Sequence, residues 1–347
     1  MNLTYQIYDT STLLGVMKEM FPPSTYWLDL CFGQNMIESE DEWVDFSKMT
    51  TGRKIAPFVA PLAHGQPIFS EGANVTRFKP GYIKAKDPVT AQRAIKKRPS
   101  EVLSKTPNTP MQRYNAIVAD ILGEHYNAVV RRWEWMAARA AIDGKVIVEG
   151  EGMPARLIDF QRDPNHTIVL TGGARWGQAG VSIKKNVEDW RTMVRRASFG
   201  GAINRITVGA AVWDVMQKDQ ELLDQLNTLT RGTDANFKTG IREGDRIEYV
   251  GNISPTLPVY VYSEIYEDPI LGEVDYMSEN DIVMTGPGVE GYQCFGAILD
   301  KAALLQAMRI FPKMWDEQDP SVTQIMTQSS PLMVPLNPNC TLKATVL

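Results

Sequence analysis

Few residues of this chain are spaced as chemistry requires. By letters alone, Gly286-Pro287-Gly288-Val289-Glu290-Gly291 satisfies the pattern GxGxxG. A dinucleotide site needs that pattern at a strand-to-helix turn, where the helix N-terminus meets the pyrophosphate. Here YQCFGAIL follows, which has the character of a strand, so the spacing predicts a turn between strands. The sequence holds no GxxxxGK followed by Ser or Thr, no GxSxG, no HExxH and no CxxC. His64, His125 and His166 have no second His or Cys at ligand spacing, so each is expected to be a packed or solvated side chain, not a metal ligand. Glu124 and His125 are adjacent on a helical stretch and diverge, which removes them as an acid–base pair. Glu38, Glu40, Asp41, Glu42 and Asp45 form an acidic run without the glycine and regular spacing of a calcium loop. No catalytic residue, cofactor or metal is expected.

The strongest charge feature is basic. Residues 76–105 carry Arg77, Lys79, Lys84, Lys86, Arg93, Lys96, Lys97, Arg98 and Lys105 against Asp87 and Glu101, a net of +7. The whole chain is at −5, so the remainder carries −12. Such asymmetry speaks about partners. Single-stranded nucleic acid would call for aromatic stacking platforms among the basic residues, and only Phe78 and Tyr82 are available. Lysines on an exposed strand also guard a sheet edge. The acidic run is the complement expected for this segment, on an adjacent copy of the same chain.

Composition bounds the class. With 347 residues, 44% hydrophobic and 22% charged, the chain is an ordinary globular one with material for about two domains. No apolar run approaches the roughly 20 residues that span a bilayer, and MNLTYQIYDTSTLLG is not organised as a signal peptide. Cys31, Cys294 and Cys340 are odd in number and far apart, which suits buried thiols better than a disulfide framework.

The elements behind these residues divide into regions. Ten of 21 prolines fall in residues 1–110, where EWVDFSKM, KIAPFVAPL and ANVTRFKPGYIKAK read as strands of a long loop or arm. Such a ribbon is marginal alone in water and must lie on something else. Thr109-Pro110-Met111-Gln112 predicts a capping box with proline at the first helical position. Apolar residues then alternate by three and four from Met111 to Ala141, and Gly144 is the natural stop. A helix from Met111 to Asp143 would be about 50 Å long, a beam across its domain. KVIVEGEGMPARLIDFQRD and HTIVLTG read as a hairpin, Val146 to Leu170. An amphipathic helix around Val187, Trp190 and Val194 follows, then the strand NRITVG and a helix over Ala211–Leu226. Strand-rich sequence runs from Arg246 to Leu299, then a short helix KAALLQAMRIF and a final strand pair in MTQSSPLMVPLNP and CTLKATVL. The class is α+β, with no βαβαβ regularity and no internal repeat.

A chain with long arms and no chemistry suggests an assembly protein. FKPGYIKAKDPV (Phe78 to Val89), the helix opening at Pro110 and the ending MTQSSPLMVPLNPNCTLKATVL, with its Gln-Ser-Ser-Pro-Leu-Met core, resemble the lambda-like major capsid protein family of tailed bacteriophages. The order of elements extends the resemblance over nearly the whole chain. It implies the Hong Kong 97 type capsid fold: an N-terminal arm at 1–41, an extended β-ribbon loop at 42–97, and a peripheral domain at 98–180 with its spine helix and hairpin. An axial domain at 181–311 and a return to the peripheral domain at 312–347 complete it.

The resemblance also implies function. The chain is expected to self-assemble into hexamers and pentamers of an icosahedral shell that encloses double-stranded DNA and expands from a procapsid. Expected partners are other copies, a trimeric decoration protein at three-fold sites, a separate scaffolding protein and a portal, with no membrane. Assembly is expected in the bacterial host cytoplasm, and the product is the virion. Some members of the fold crosslink Lys to Asn. Lys48, Lys54, Lys79 and Lys84 are present in the loop, but no matching Asn and Glu are identifiable. An encapsulin-like compartment shell is the alternative. The residues expected to join copies are Glu38, Glu40, Asp41, Glu42, Asp45, Arg77, Lys79, Lys84, Lys86, Lys96, Lys97 and Arg98.

Overall fold

A computed structural model describes residues 7–20, 23–33, 35–41, 43–49, 73–96, 109–150, 152–197, 200–222, 246–254, 256–268, 271–319 and 322–347. Two hydrophobic cores organise them. The first surrounds helix α4 (Pro110–Ile142), whose 33 residues form the expected beam. The predicted capping box is present: Gln112 N–H donates to the Thr109 hydroxyl, and the Gln112 side chain accepts from Thr109 N–H at 2.8 Å. Against α4 pack the arm helices α1 (Thr10–Lys18) and α2 (Tyr26–Cys31), the hairpin β5 (Lys145–Gly150)/β6 (Met153–Asp159), and strands β14 (Gly291–Phe295) and β17 (Pro331–Pro335). Strand β1 (Met36–Glu38) runs parallel to β14 at the edge of that small sheet.

The second core lies under a six-stranded mixed sheet. Its order is β7 (Thr167–Val169), β18 (Thr341–Thr345), β13 (Asp281–Thr285), β8 (Arg205–Val208), β10 (Leu257–Tyr262) and β9 (Ile247–Ser254). Alternation along the strands sends Ile206, Val208, Val259, Val261, Ile282, Met284, Leu342 and Ala344 to one face. Helices α5 (Ile183–Arg196) and α6 (Ala210–Met216) cover that face with Val187, Trp190, Val194, Val212 and Trp213.

Several expectations are corrected. ANVTRFKPGYIKAK is not one strand. β3 (Ala73–Phe78) pairs with β2 (Val44–Met49), whereas β4 (Ile83–Thr90) pairs with β16 (Val322–Ser329). Pro80-Gly81 makes the break, and a Cβ on Gly81 would lie 3.0 Å from Val148 Cγ1, so glycine lets the chain cross the hairpin closely. β4 continues through Pro88 to Thr90, and α3 (Ala91–Ile95) follows it. The proline is tolerated because β4 is an edge strand of the β15 (Phe311–Glu317)–β16–β4 sheet.

The hairpin closes at Asp159, and Thr167–Val169 instead pairs parallel with β18. The last strands do not pair with each other, because the chain changes sheet at Ser330: β16 lies with β15 and β4, β17 with β14, and β18 with β13 and β7. The helix expected over Ala211–Leu226 is interrupted: α6 ends at Met216, and the Asp219 carboxylate accepts Leu222 N–H as the cap of a new helical stretch at 220–222, the last of those residues that is described. KAALLQAMRIF forms a single 3₁₀ turn (Lys301–Ala303) followed by left-handed Leu304 and Leu305. The segment KIAPFVAPL lies outside the described residues.

Candidate inter-subunit surface

The described residues hold no group of three or more His, Cys, Asp or Glu placed to hold a metal. Gly286–Gly291 is a turn between β13 and β14, as expected. Cys31, Cys294 and Cys340 are free and buried, and burial pushes the Cys31 and Cys294 thiols up to about 12. His125 is clamped between two strands. Its Nε2 lies 2.9 Å from Asp87 Oδ2 on β4, and its Nδ1 lies 3.1 Å from the Thr327 hydroxyl on β16. Thr327 is fully buried, and this Thr-His-Asp row ties the beam to the β15–β16–β4 sheet. His166 is buried too, and burial lowers its pKa and keeps it neutral near pH 7.

Three polar ties fix the arm, the beam and the sheet to one another. The first is Glu134, 1% exposed in the middle of α4. Its two carboxylate oxygens accept from Trp27 N–H at 2.7 Å and Leu28 N–H at 2.9 Å. These are orphan donors of α2, whose own Thr25 supplies no side-chain cap. The beam therefore caps the arm. Burial pushes the Glu134 carboxyl up to about 7, opposed by the two N–H groups and reinforced by Asp29 and Glu264. The second is Arg162, which donates to the carbonyls of Ala141 and Ile142 at the end of α4 and to the Thr341 and Thr167 hydroxyls. Burial draws its pKa down to about 10. The third is Lys343, whose Nζ lies 3.0 Å from Asp143 Oδ1 and 3.1 Å from Asp281 Oδ2 and so bridges the beam's C-terminus to the six-stranded sheet.

The Gln-Ser-Ser-Pro-Leu-Met motif has a physical explanation. Gln328 to Met333 are buried. Gln328 accepts from the Tyr82 hydroxyl at 2.7 Å and donates to Asp300 at 2.9 Å, and Ser329 donates to the Arg309 carbonyl at 2.7 Å. These side chains hold three segments that meet at the sheet change.

The charged residues expected to join copies lie on several elements. Glu38, Glu40 and Asp41 are exposed at the end of β1 and in the turn after it, where the Ser39 hydroxyl bonds the Trp43 carbonyl and Asp41 N–H. Asp45 stands opposite Arg77 in the β2–β3 backbone register. Lys79 lies 5.8 Å over the Trp43 ring, Lys84 5.2 Å over Tyr82, and Lys86 5.3 Å over Trp315 and 3.9 Å from Glu317. An ion pair this exposed contributes roughly 0–1 kcal/mol. Lys96 is exposed at the end of α3. Glu42, Lys97 and Arg98 lie outside the described residues. Sequence reasoning missed Glu134, and the available signal was an acid between Trp133 and Trp135 on the apolar face of a helix.

A beam helix, a hairpin beside it, an arm capped onto it and a separate sheet domain together make the fold of phage capsid proteins. A putative capsid protein of an Escherichia coli CFT073 prophage superposes with a TM-score of 0.73 at 21% identity, over 99% of this chain and all of that one. A subunit of the mature capsid of bacteriophage PhiM1 gives 0.50 at 11% identity, over 94% of this chain and 88% of that one. The model of the family "Phage major capsid protein E" matches residues 9–346, and the chain belongs to that family. The chain is 27% identical over 341 residues to the P21 prophage-derived major head protein of E. coli O6:H1 (strain CFT073), covering 96% of this chain and 97% of that protein. It is 25% identical over 338 residues to the major capsid protein of Escherichia phage lambda, with 96% and 97% covered. The family places the chain in the virion as a shell subunit, and sets aside the compartment-shell alternative. No described helix is long and apolar enough to cross a membrane.

Proposed function

We propose that this chain is the major head subunit of a tailed bacteriophage, closing as hexamers and pentamers into an icosahedral shell around double-stranded DNA. It acts mechanically and catalyses no reaction. The observation that carries this is the family match running from residue 9 to residue 346, which includes arm, ribbon, beam and sheet domain. Residues 1–41 serve as the arm, 42–97 as the extended loop, 98–180 and 312–347 as the peripheral domain, and 181–311 as the axial domain. The two cores favour two bodies but not these bounds at every strand, since β14 packs in the beam's core and β18 in that of the six-stranded sheet. The β2–β3 ribbon lies across a neighbouring copy, which covers an edge that two strands alone leave open.

The charged surface from Glu38 to Asp45 and from Arg77 to Arg98 joins copies, with the intrachain pairs exchanged for pairs between subunits. A scaffolding protein and a portal take part in assembly in the host cytoplasm, and a trimeric decoration protein reinforces the three-fold positions. The negative remainder of the chain keeps packaged DNA from adhering to the wall. Sedimentation of the expressed chain, with and without its phage's scaffolding protein, tests the reading. Fast-sedimenting closed particles support it, and a chain that stays monomeric under both conditions refutes it.

A further inference from the structure

Between β14 and β15 the chain makes an excursion that the shell reading has not used. It is closed at its base by an antiparallel bridge between Ala297 and Ala307 and by Ile298 N–H donating to the Gln306 carbonyl at 3.0 Å. At its tip Leu304 and Leu305 both have left-handed backbone, with φ of +54° and +59°. Branched and bulky residues avoid that region because Cβ crowds the carbonyl. Neither leucine is rewarded by burial here: Leu304 is 76% exposed and Leu305 57%, and Leu299 beside them is 59% exposed.

The turn is nevertheless built firmly. The Asp300 carboxylate accepts from Ala302 N–H at 2.9 Å, from Gln328 Nε2 at 2.9 Å and from Lys313 Nζ at 3.1 Å. Tyr82 accepts Leu299 N–H at 3.1 Å, and beneath the tip Ile298, Ala303 and Phe311 make a small core of their own. A cleft of about 550 Å³ lies at the base of the excursion, walled by Ala297 and Leu299, by Met153 and Pro154, and by Lys79 and Pro80 at the root of the β2–β3 ribbon.

Adjacent exposed apolar side chains held rigidly in an unfavourable backbone mark a contact, because strain persists where function retains it. We propose that the Leu304–Leu305 tip is a contact between copies of this chain, its leucines covered by a neighbouring subunit in the shell. A second copy is the occupant for two reasons. The family builds shells from copies of one chain, and the cleft at the base of the excursion begins where the ribbon leaves the body. The apolar chemistry also fits, since interfaces between permanently associated copies are more apolar than transient ones. This inference rests on the shell reading.

The native thiols are buried, so maleimide labelling of a Leu304→Cys chain reports on the introduced thiol alone. The unassembled chain should label freely, and particles of the same chain should label about tenfold more slowly or less, as a desolvated contact requires. A chain carrying Leu304→Gly and Leu305→Gly is the companion. Glycine relieves the positive-φ strain but frees the unfolded chain, so the two effects oppose and its unfolding midpoint before assembly should stay close to that of wild type. Its particle yield should nevertheless fall about tenfold, the scale of 1.4 kcal/mol lost from assembly. Labelling at equal rates in particles and free chain overturns the inference while leaving the shell reading intact. So does protection seen only when a second protein species coats the particle. A wild-type chain that never forms particles overturns both.

Discussion

Glu134 offers the sharpest perturbation, because one carboxylate joins arm to beam and its ionisation has a defined sign. Burial raises its pKa from 4.5 to about 7 in the fold, against the opposing pull of the Trp27 and Leu28 N–H groups. The folded state therefore binds this proton more tightly than the unfolded state does. The stability that this proton contributes is fully present below about pH 4.5 and is lost as pH rises through about 7. A shift from 4.5 to about 7 corresponds to about 3 kcal/mol. Glu134→Gln removes the titration and keeps one acceptor. The stability difference between wild type and Glu134→Gln should then move by about 3 kcal/mol between about pH 4.5 and about pH 8, with wild type losing ground as pH rises. Glu134→Ala leaves both α2 donors buried and unpaired, about 1–3 kcal/mol each, and should be the less stable variant at every pH. The assay is urea unfolding of the unassembled chain at a series of pH values, with limited proteolysis of the arm as a local readout. Parallel pH curves for wild type and Glu134→Gln would refute the reasoning, as would a Glu134→Ala chain as stable as wild type.

Other perturbations follow from the remaining ties. Thr109→Ala opens the capping box at the start of the beam and should cost about 1 kcal/mol in the same unfolding assay. Arg162→Met strands two helix-end carbonyls and the Thr341 and Thr167 hydroxyls, so it should cost about 3–5 kcal/mol by calorimetry. Reversing Lys96, Lys97 and Arg98 to glutamate should leave circular dichroism unchanged but lower particle yield and salt resistance. Wild-type particles from that triple variant would remove the basic segment from the assembly surface.

The parts legible in the sequence were those set by local rules. Thr109, Pro110 and Gln112 marked the beam's start through capping chemistry, and the three–four spacing from Met111 to Ala141 gave its buried face. Gly150-Glu151-Gly152 marked a hairpin turn. What remained hidden depends on partners distant in the chain. Nothing local in HTIVLTG says that it will lie beside β18, and nothing in MTQSS says that it will pair with β4 across more than two hundred residues. KAALLQAMRIF has the letters of a helix, yet Asp300 caps its first turn, and the bridge from Ala297 to Ala307 then draws the chain back. The charge pattern was legible, but not the pairing that sets Asp45 opposite Arg77 in the backbone register of β2 and β3.

The most direct test is a cryo-electron microscopy reconstruction of particles formed by this chain. The expected map is an icosahedral shell of hexamers and pentamers in which the β2–β3 ribbon of each subunit lies on a neighbour and the beam stays joined to α2 through Glu134. A map in which the ribbon folds back on its own subunit, or in which copies do not close into a shell, would contradict it.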